Sequence, residues 1–248
     1  MKASRRTTVR EAVYGQQGLR LLPISRFQSG DPYFSNVSLL LQPTTETNGQ
    51  TIFKDRSSNA HTLTRVGDAI WDTGVTLFGL PTILLDGTGD SISLPCSSSV
   101  FDMSTGDWTF EVWARLNGIP GVYAGLIDGR SAGSVENYSL ALYNIGGTMR
   151  ADVLYASGRL TGTTTSVPDT TMTFIQIVRE SGVVKARIGG SQDTTTQSYS
   201  GAFSPTATTM YLGSSVDPYY LNGRIGAVRI TKGVARANVV PTAPFPTS

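Results

Sequence analysis

The sequence is poor in the residues that most active sites use. It holds one cysteine, Cys96, and one histidine, His61, in 248 residues. A single cysteine excludes an intrachain disulfide and fits assembly in a reducing compartment. A lone histidine is a weak start for a metal site or a general base, so His61 is expected to serve structure. Cys/His metal spacing and a glycine-rich phosphate loop are both missing. Charged residues make up only 15% and hydrophobic residues 39%, which argues against disorder from excess charge. No apolar run approaches the roughly 18 residues of a membrane span. Arg20 and Pro23 interrupt the best N-terminal stretch, so neither a secretory signal nor an anchor is expected. No segment shows a helical repeat of convincing length.

What is plentiful is glycine (27) and proline (12), beside many threonines and serines, a composition suited to short strands joined by turns. The reading is organised around residues 107–116, DWTFEVWARL. There Trp108, Phe110, Val112, Ala114 and Leu116 alternate with Thr109, Glu111, Trp113 and Arg115, the period-two pattern of a strand with one apolar face. Upstream, an apolar strand at 84–85 enters a Gly/Asp turn over 86–90, and 91–94 begins the next strand. Further strands are expected at 37–41, 63–66, 121–128, 137–143, 149–154, 171–179, 183–188, 210–213 and 224–231. Glu180-Ser181-Gly182 marks a hairpin between two of them. Residues 67–74, 161–170 and 191–208 read as polar stretches or Thr/Ser-rich loops, and 233–248 as a tail laid along the surface. More than ten short strands without helices predict an all-β, two-sheet antiparallel jelly-roll sandwich.

Charge divides the chain. Residues 1–30 carry six basic residues against Glu11, a net +5, which leaves the remainder at −3. Such a head suits nucleic acid, an anionic surface or an acidic protein neighbour. Its basic residues are interleaved with apolar ones rather than blocked together, so a protein neighbour is expected and nucleic acid is not. Residues 1–30 are therefore an extended N-terminal arm for docking, with Arg5, Arg6, Arg10, Leu21, Leu22 and Phe27 as contacts. Folding back on its own domain is the other reading.

Four blocks carry a family resemblance. Residues 84–95 (LLDGTGDSISLP), 105–116 (TGDWTFEVWARL), 174–190 (FIQIVRESGVVKARIGG) and 212–236, ending LNGRIGAVRITKGVAR, follow one another in order. Together they resemble the laminin-G-like, concanavalin A-like lectin/glucanase jelly rolls, in the variant common in bacteriophage and bacterial surface proteins. The ITKGVAR…PTAPFP ending is most similar to phage-associated members. Two departures stand out. The family's Tyr-x-Asp-Gly turn is replaced by Arg187-Ile188-Gly189-Gly190, and Gly226-Ala227 stand where its closing strand carries Asp-Glu. The resemblance implies a domain over 31–236 and a tail over 237–248.

Glycoside cleavage needs two carboxylates at a set separation, and the central strand offers only Glu111, so no enzyme is expected and no catalytic residue is assigned. Calcium needs several hard oxygen ligands; Asp86, Asp90, Asp107 and Asp128 are its weak candidates, with turn formation the plainer role for the Asp-Gly pairs. No cofactor is otherwise expected. Sugar binding uses exposed aromatic faces. Trp113, Tyr123, Tyr143, Tyr155, Tyr219 and Tyr220 are the aromatic candidates, and the 217–220 loop with Asp217 is the leading contact. The functional expectation is a non-enzymatic bacteriophage virion protein, a head or tail decoration or attachment module. Its partners would be other virion proteins and copies of itself, assembled in the host cytoplasm without membrane insertion. The alternative is a carbohydrate-binding adhesin for host surface glycan.

Overall fold

A computed structural model describes residues 30–97, 99–132, 138–155, 158–160 and 164–248. The arm expected over 1–30, with its docking residues, lies outside them apart from Gly30. Fifteen strands among the described residues form two antiparallel sheets, with only two short 3-10 turns, Phe34–Asn36 and Ser99–Phe101. This is the all-β jelly-roll sandwich that the alternation predicted.

The eight-stranded sheet holds β1 (Val37–Leu41), β3 (Ile70–Leu77), β4 (Leu80–Asp86), β6 (Trp108–Leu116), β11 (Thr173–Glu180), β12 (Val183–Ile188), β13 (Ser191–Ser198) and β15 (Asn222–Lys232). β6 lies at its centre between β11 and β15. The far edge of β15 is shared, with β4 along one half and β1 along the other. The seven-stranded sheet runs in the order β10 (Gly158–Leu160), β9 (Thr148–Tyr155), β8 (Ser139–Ile145), β7 (Tyr123–Asp128), β14 (Thr209–Leu212), β5 (Ser91–Pro95) and β2 (Thr64–Val66).

The core lies between the sheets. Trp108, Phe110, Val112, Ala114 and Leu116 of β6 meet Ile175 and Ile177, Ile225, Val228 and Ile230 on their own sheet, and Leu140, Leu142, Met149, Ala151, Met210 and Leu212 on the other. Trp108, Phe110, Tyr138 and Phe203 form an aromatic knot at one end, the Trp108 and Phe203 rings stacked 4.5 Å apart. Such pairs add about 0.5–1.5 kcal/mol each beyond their buried area.

Two strands stand where the sequence suggested loops. Residues 67–74 contribute to β3, whose Trp71 is buried in the core while its flanks stay half-exposed. An edge strand with a bulge between Asp72 and Thr76 needs few apolar residues to hold its place. Residues 191–198 form β13, an all-polar edge strand held by backbone pairing to β12. Its threonines favour extended backbone, and an edge with one wet side gives no alternation to read. The hairpin at 181–182 is as expected: Ser181 and Gly182 both have positive φ, +50° and +80°, as a two-residue mirror-image turn requires.

Candidate functional site: a tyrosine platform on the seven-stranded sheet

The two outer faces of the sandwich differ. On the eight-stranded sheet, one row crosses four strands in register: Arg187, Gln176, Glu111 and Arg229. Arg187 Nη1 donates to Gln176 Oε1 at 2.7 Å, Gln176 Nε2 to Glu111 Oε1 at 3.2 Å, and Arg229 Nε to Glu111 Oε2 at 2.5 Å. Asp31 accepts from Arg229 at 3.0 Å and from both terminal nitrogens of Arg236, at 3.0 and 2.7 Å. Burial by itself would raise the pKa of Asp31, but the hydrogen bonds from Arg236 and the Tyr33 N–H, with the two guanidinium charges, outweigh it and hold the pKa low.

The C-terminal segment covers this network. The Phe245 N–H donates to Gln42 Oε1 and Gln42 Nε2 donates back to the Phe245 carbonyl. The Arg229 guanidinium lies 4.0 Å from the Phe245 ring centroid, close enough for a cation–π contact. Phe245 also joins Val37, Leu40, Leu77, Trp113, Phe174 and Ala227 in a small second core on this face. Glu111, the sole carboxylate candidate for catalysis, is thus 1% exposed and bound by arginine.

On the seven-stranded sheet, tyrosines from two strands and a loop come together. Tyr123 and Tyr143 are register partners on β7 and β8, and their rings stack 4.7 Å apart at 22°. The Tyr219 ring meets Tyr123 edge-on at 5.1 Å. Tyr123 and Tyr143 are half-buried and Tyr219 is 37% exposed. The three rings make an aromatic platform whose most exposed member is Tyr219.

Asp128 fixes the loop that brings Tyr219 there. Its carboxylate, fully buried, accepts from the Arg130 N–H at 2.9 Å, from Arg130 Nε and Nη2, from Ser215 Oγ at 2.8 Å and from the Val216 N–H at 3.1 Å. Arg130 reaches on to Asp217 at 3.3 Å. Burial opposes the Arg130 charge, but Asp128 and Asp217 outweigh it, and its pKa is raised. The loop backbone then crosses β7 at Gly125, whose N–H donates to the Tyr219 carbonyl. A Cβ at Gly125 would lie 2.3 Å from Ser214 C, so only glycine allows the crossing.

Of the aromatic candidates, the fold gathers Tyr123, Tyr143 and Tyr219, while Asp217 of the same loop as Tyr219 is bound by Arg130. Tyr220 is half-buried, bridges by backbone to Ser214 and stands outside the three-ring cluster. Trp113 is on the other sheet, 9% exposed under Phe78 and Phe174. Its place as a contact is corrected: the Phe78 hairpin and the second core cover it. Tyr155's side chain lies outside the described parts. The calcium candidates do not converge. Asp86 caps the Thr88 N–H, Asp90 accepts from the Asp68 and Asp86 N–H groups, Asp107 from Ser181, and Asp128 binds Arg130. Among the described residues no three His, Cys, Asp or Glu side chains group as a metal would need. His61 packs on Phe101, ring centroids 4.8 Å apart. Sequence reading missed Arg130 and Gly125; the Asp-Gly turn signal at 128–129 was the available hint for the first, and nothing in the sequence announces a backbone crossing.

The architecture is that of a lectin-like jelly roll. Residues 86–240 match the family described as the concanavalin A-like lectin/glucanases superfamily, and the chain belongs to it. Several solved structures share the fold. The binding domain of botulinum neurotoxin DC in complex with rat synaptotagmin II is 14% identical, with a TM-score of 0.59, covering 83% of this chain and 50% of that one. A botulinum neurotoxin type C structure, described for its interaction with two ganglioside molecules, is 15% identical with a TM-score of 0.58 and coverages of 83% and 50%. Domain 4 of an extracellular arabinanase from Geobacillus stearothermophilus, in complex with arabinotriose, is 16% identical with a TM-score of 0.55, covering 81% of this chain and 94% of that one. The chain spans about half the length of the neurotoxin chains, and at these identities the likeness is one of fold. No curated protein matches the sequence.

Proposed function

We propose that this protein is a non-catalytic carbohydrate-binding module whose contact surface is the platform of Tyr123, Tyr143 and Tyr219. The carrying observation is the joining of three rings from β7, β8 and the 213–221 loop into one cluster, exposed at Tyr219. Aromatic faces stack on the C–H faces of sugar rings while hydroxyls at the edge fix orientation. Asp217, on the same loop as Tyr219, has a side chain that is 42% exposed and pairs with Arg130. The arabinotriose complex of the arabinanase domain and the ganglioside interaction of the neurotoxin support the reading by analogy of fold. Support for a non-catalytic role comes from Glu111, buried and ion-paired with Arg229.

Screening the full chain on a glycan array and then titrating the best ligand tests this. Tyr219→Ala and Tyr143→Ala are expected to weaken binding at least tenfold, roughly the value of a lost aromatic contact, with unchanged melting. An array without binders, or variants that bind as the parent does, would sink the reading.

Docking on a virion through residues 1–30 is a separate proposal. It rests on the net +5 of that segment and its interleaved apolar residues. A chain lacking residues 1–30 that still joins particles would remove it.

A further inference from the structure

Beside the tyrosine platform, two loop tips form one rim. Residues 117–122 (NGIPGV) join β6 to β7, and 143–148 (YNIGGT) turn β8 into β9. Asn144 stitches them together: its N–H donates to the Val122 carbonyl at 2.8 Å, and its Nδ2 to the Pro120 carbonyl at 2.8 Å. The stitched rim presents Ile119 and Val122, each 46% exposed, and Ile145, 40% exposed. By strand alternation Ile145 continues the face that Tyr143 opens. With Tyr219, these are four of the eight exposed large hydrophobic side chains among the described residues. Neither tip segment holds a charged residue. Asp169 is half-buried and accepts from the Gly118 and Thr170 N–H groups.

We propose that this rim inserts into the surface of a lipid bilayer. Its shape argues for a deformable partner, because the aliphatic groups project from turns instead of lining a groove. Its chemistry argues for the same one. A tip without charges enters the headgroup boundary without a desolvation penalty for ions, and isoleucine and valine gain from leaving water. The tyrosines just behind the tips, apolar in body and polar at the end, suit the headgroup level where such side chains collect. No spanning segment is needed: among the described residues no helix is long and apolar enough to cross a membrane, and a rim contact is monotopic. The proposal uses the same face as the glycan reading but does not depend on it. Together the two would place a sugar on the platform while the rim holds the surface that carries it.

Flotation of the full chain with vesicles of phosphatidylcholine alone tests it. Neutral, glycan-free lipid keeps both the basic N-terminal segment and the sugar reading out of the measurement. The parent is expected to float with the vesicles. The triple variant Ile119→Asp, Val122→Asp, Ile145→Asp, whose sites are exposed, is expected to melt as the parent does and to float at least tenfold less. A parent that stays with the soluble fraction, or a triple variant that floats equally, overturns the proposal. Val122→Trp gives an independent readout. Its emission should shift to the blue when vesicles are added, and an unshifted spectrum overturns insertion even if flotation occurs. Either failure leaves the glycan titration of Tyr219→Ala in solution untouched.

Discussion

The outer faces of the two sheets put similar residue types to opposite uses. On the eight-stranded sheet, aromatic and charged side chains are covered: Trp113 and Phe174 sit in a second core, and Glu111 and Asp31 are bound by Arg229 and Arg236 beneath the C-terminal segment. On the seven-stranded sheet, a comparable set, three tyrosines with the Asp128–Arg130–Asp217 cluster, is left partly open. The difference lies in what crosses each face. A proline-rich segment ending near Phe245 lies over the first. Among the described residues, the 213–221 loop, pinned at Asp128, reaches the second and adds a ring to it. Chemistry-bearing side chains are therefore a poor guide to a site until it is known which face the chain itself covers.

The sharpest way to break this contrast is to disrupt the covered network. Glu111→Ala should destabilise the domain by about 3–5 kcal/mol, because it leaves Arg229 buried without its closest partner. Denaturant unfolding would measure this, and a loss below about 1 kcal/mol would mean that the face is wetter than its burial indicates. On the open face, Gly125→Ala should cost about 1–3 kcal/mol as the 213–221 loop is pushed off β7. It should also abolish the Tyr219 contribution to ligand binding while leaving Tyr143's in place, which a double variant with Tyr219→Ala would reveal as non-additivity.

Acid provides a third comparison. The folded-state pKa of Asp31 lies below its ordinary value, so its contribution to stability is fully present above about pH 4, the unfolded value for aspartate. That contribution is lost as pH falls further, through the lowered folded value. Asp31→Asn should flatten the acid limb of the stability curve, and an unchanged limb would refute the assignment. Smallest is the expected effect of Tyr219→Ala on stability, within about 0.5 kcal/mol for an exposed side chain, against its large effect on binding. Cys96 sharpens the picture from inside the core. Burial, with the nearby Asp128 charge, pushes its pKa up to about 11, so native protein should resist thiol reagents at pH 8 and react only on unfolding.

Much of the fold was legible in the sequence. Alternation at 107–116 named β6 and its buried face, and the turn at 181–182 was announced by Ser-Gly. β13 was not legible, since a strand that buries almost nothing leaves no pattern. For the site, the candidate tyrosines could be named one by one, but nothing in the sequence said that Tyr123, Tyr143 and Tyr219 belong together or that Trp113 does not. Those rings come from two strands and a loop up to 96 residues apart.

By itself the sequence determined the class of fold, because period-two burial and turn chemistry act within a few residues of one another. It also determined that these residues hold no intrachain disulfide and no Cys/His metal spacing. Tertiary structure alone decided which outer face stays open. That depends on register across four strands, on the path of the C-terminal segment and on a glycine where one backbone crosses another. All three are contacts between residues far apart in the chain, and local propensity carries no information about them.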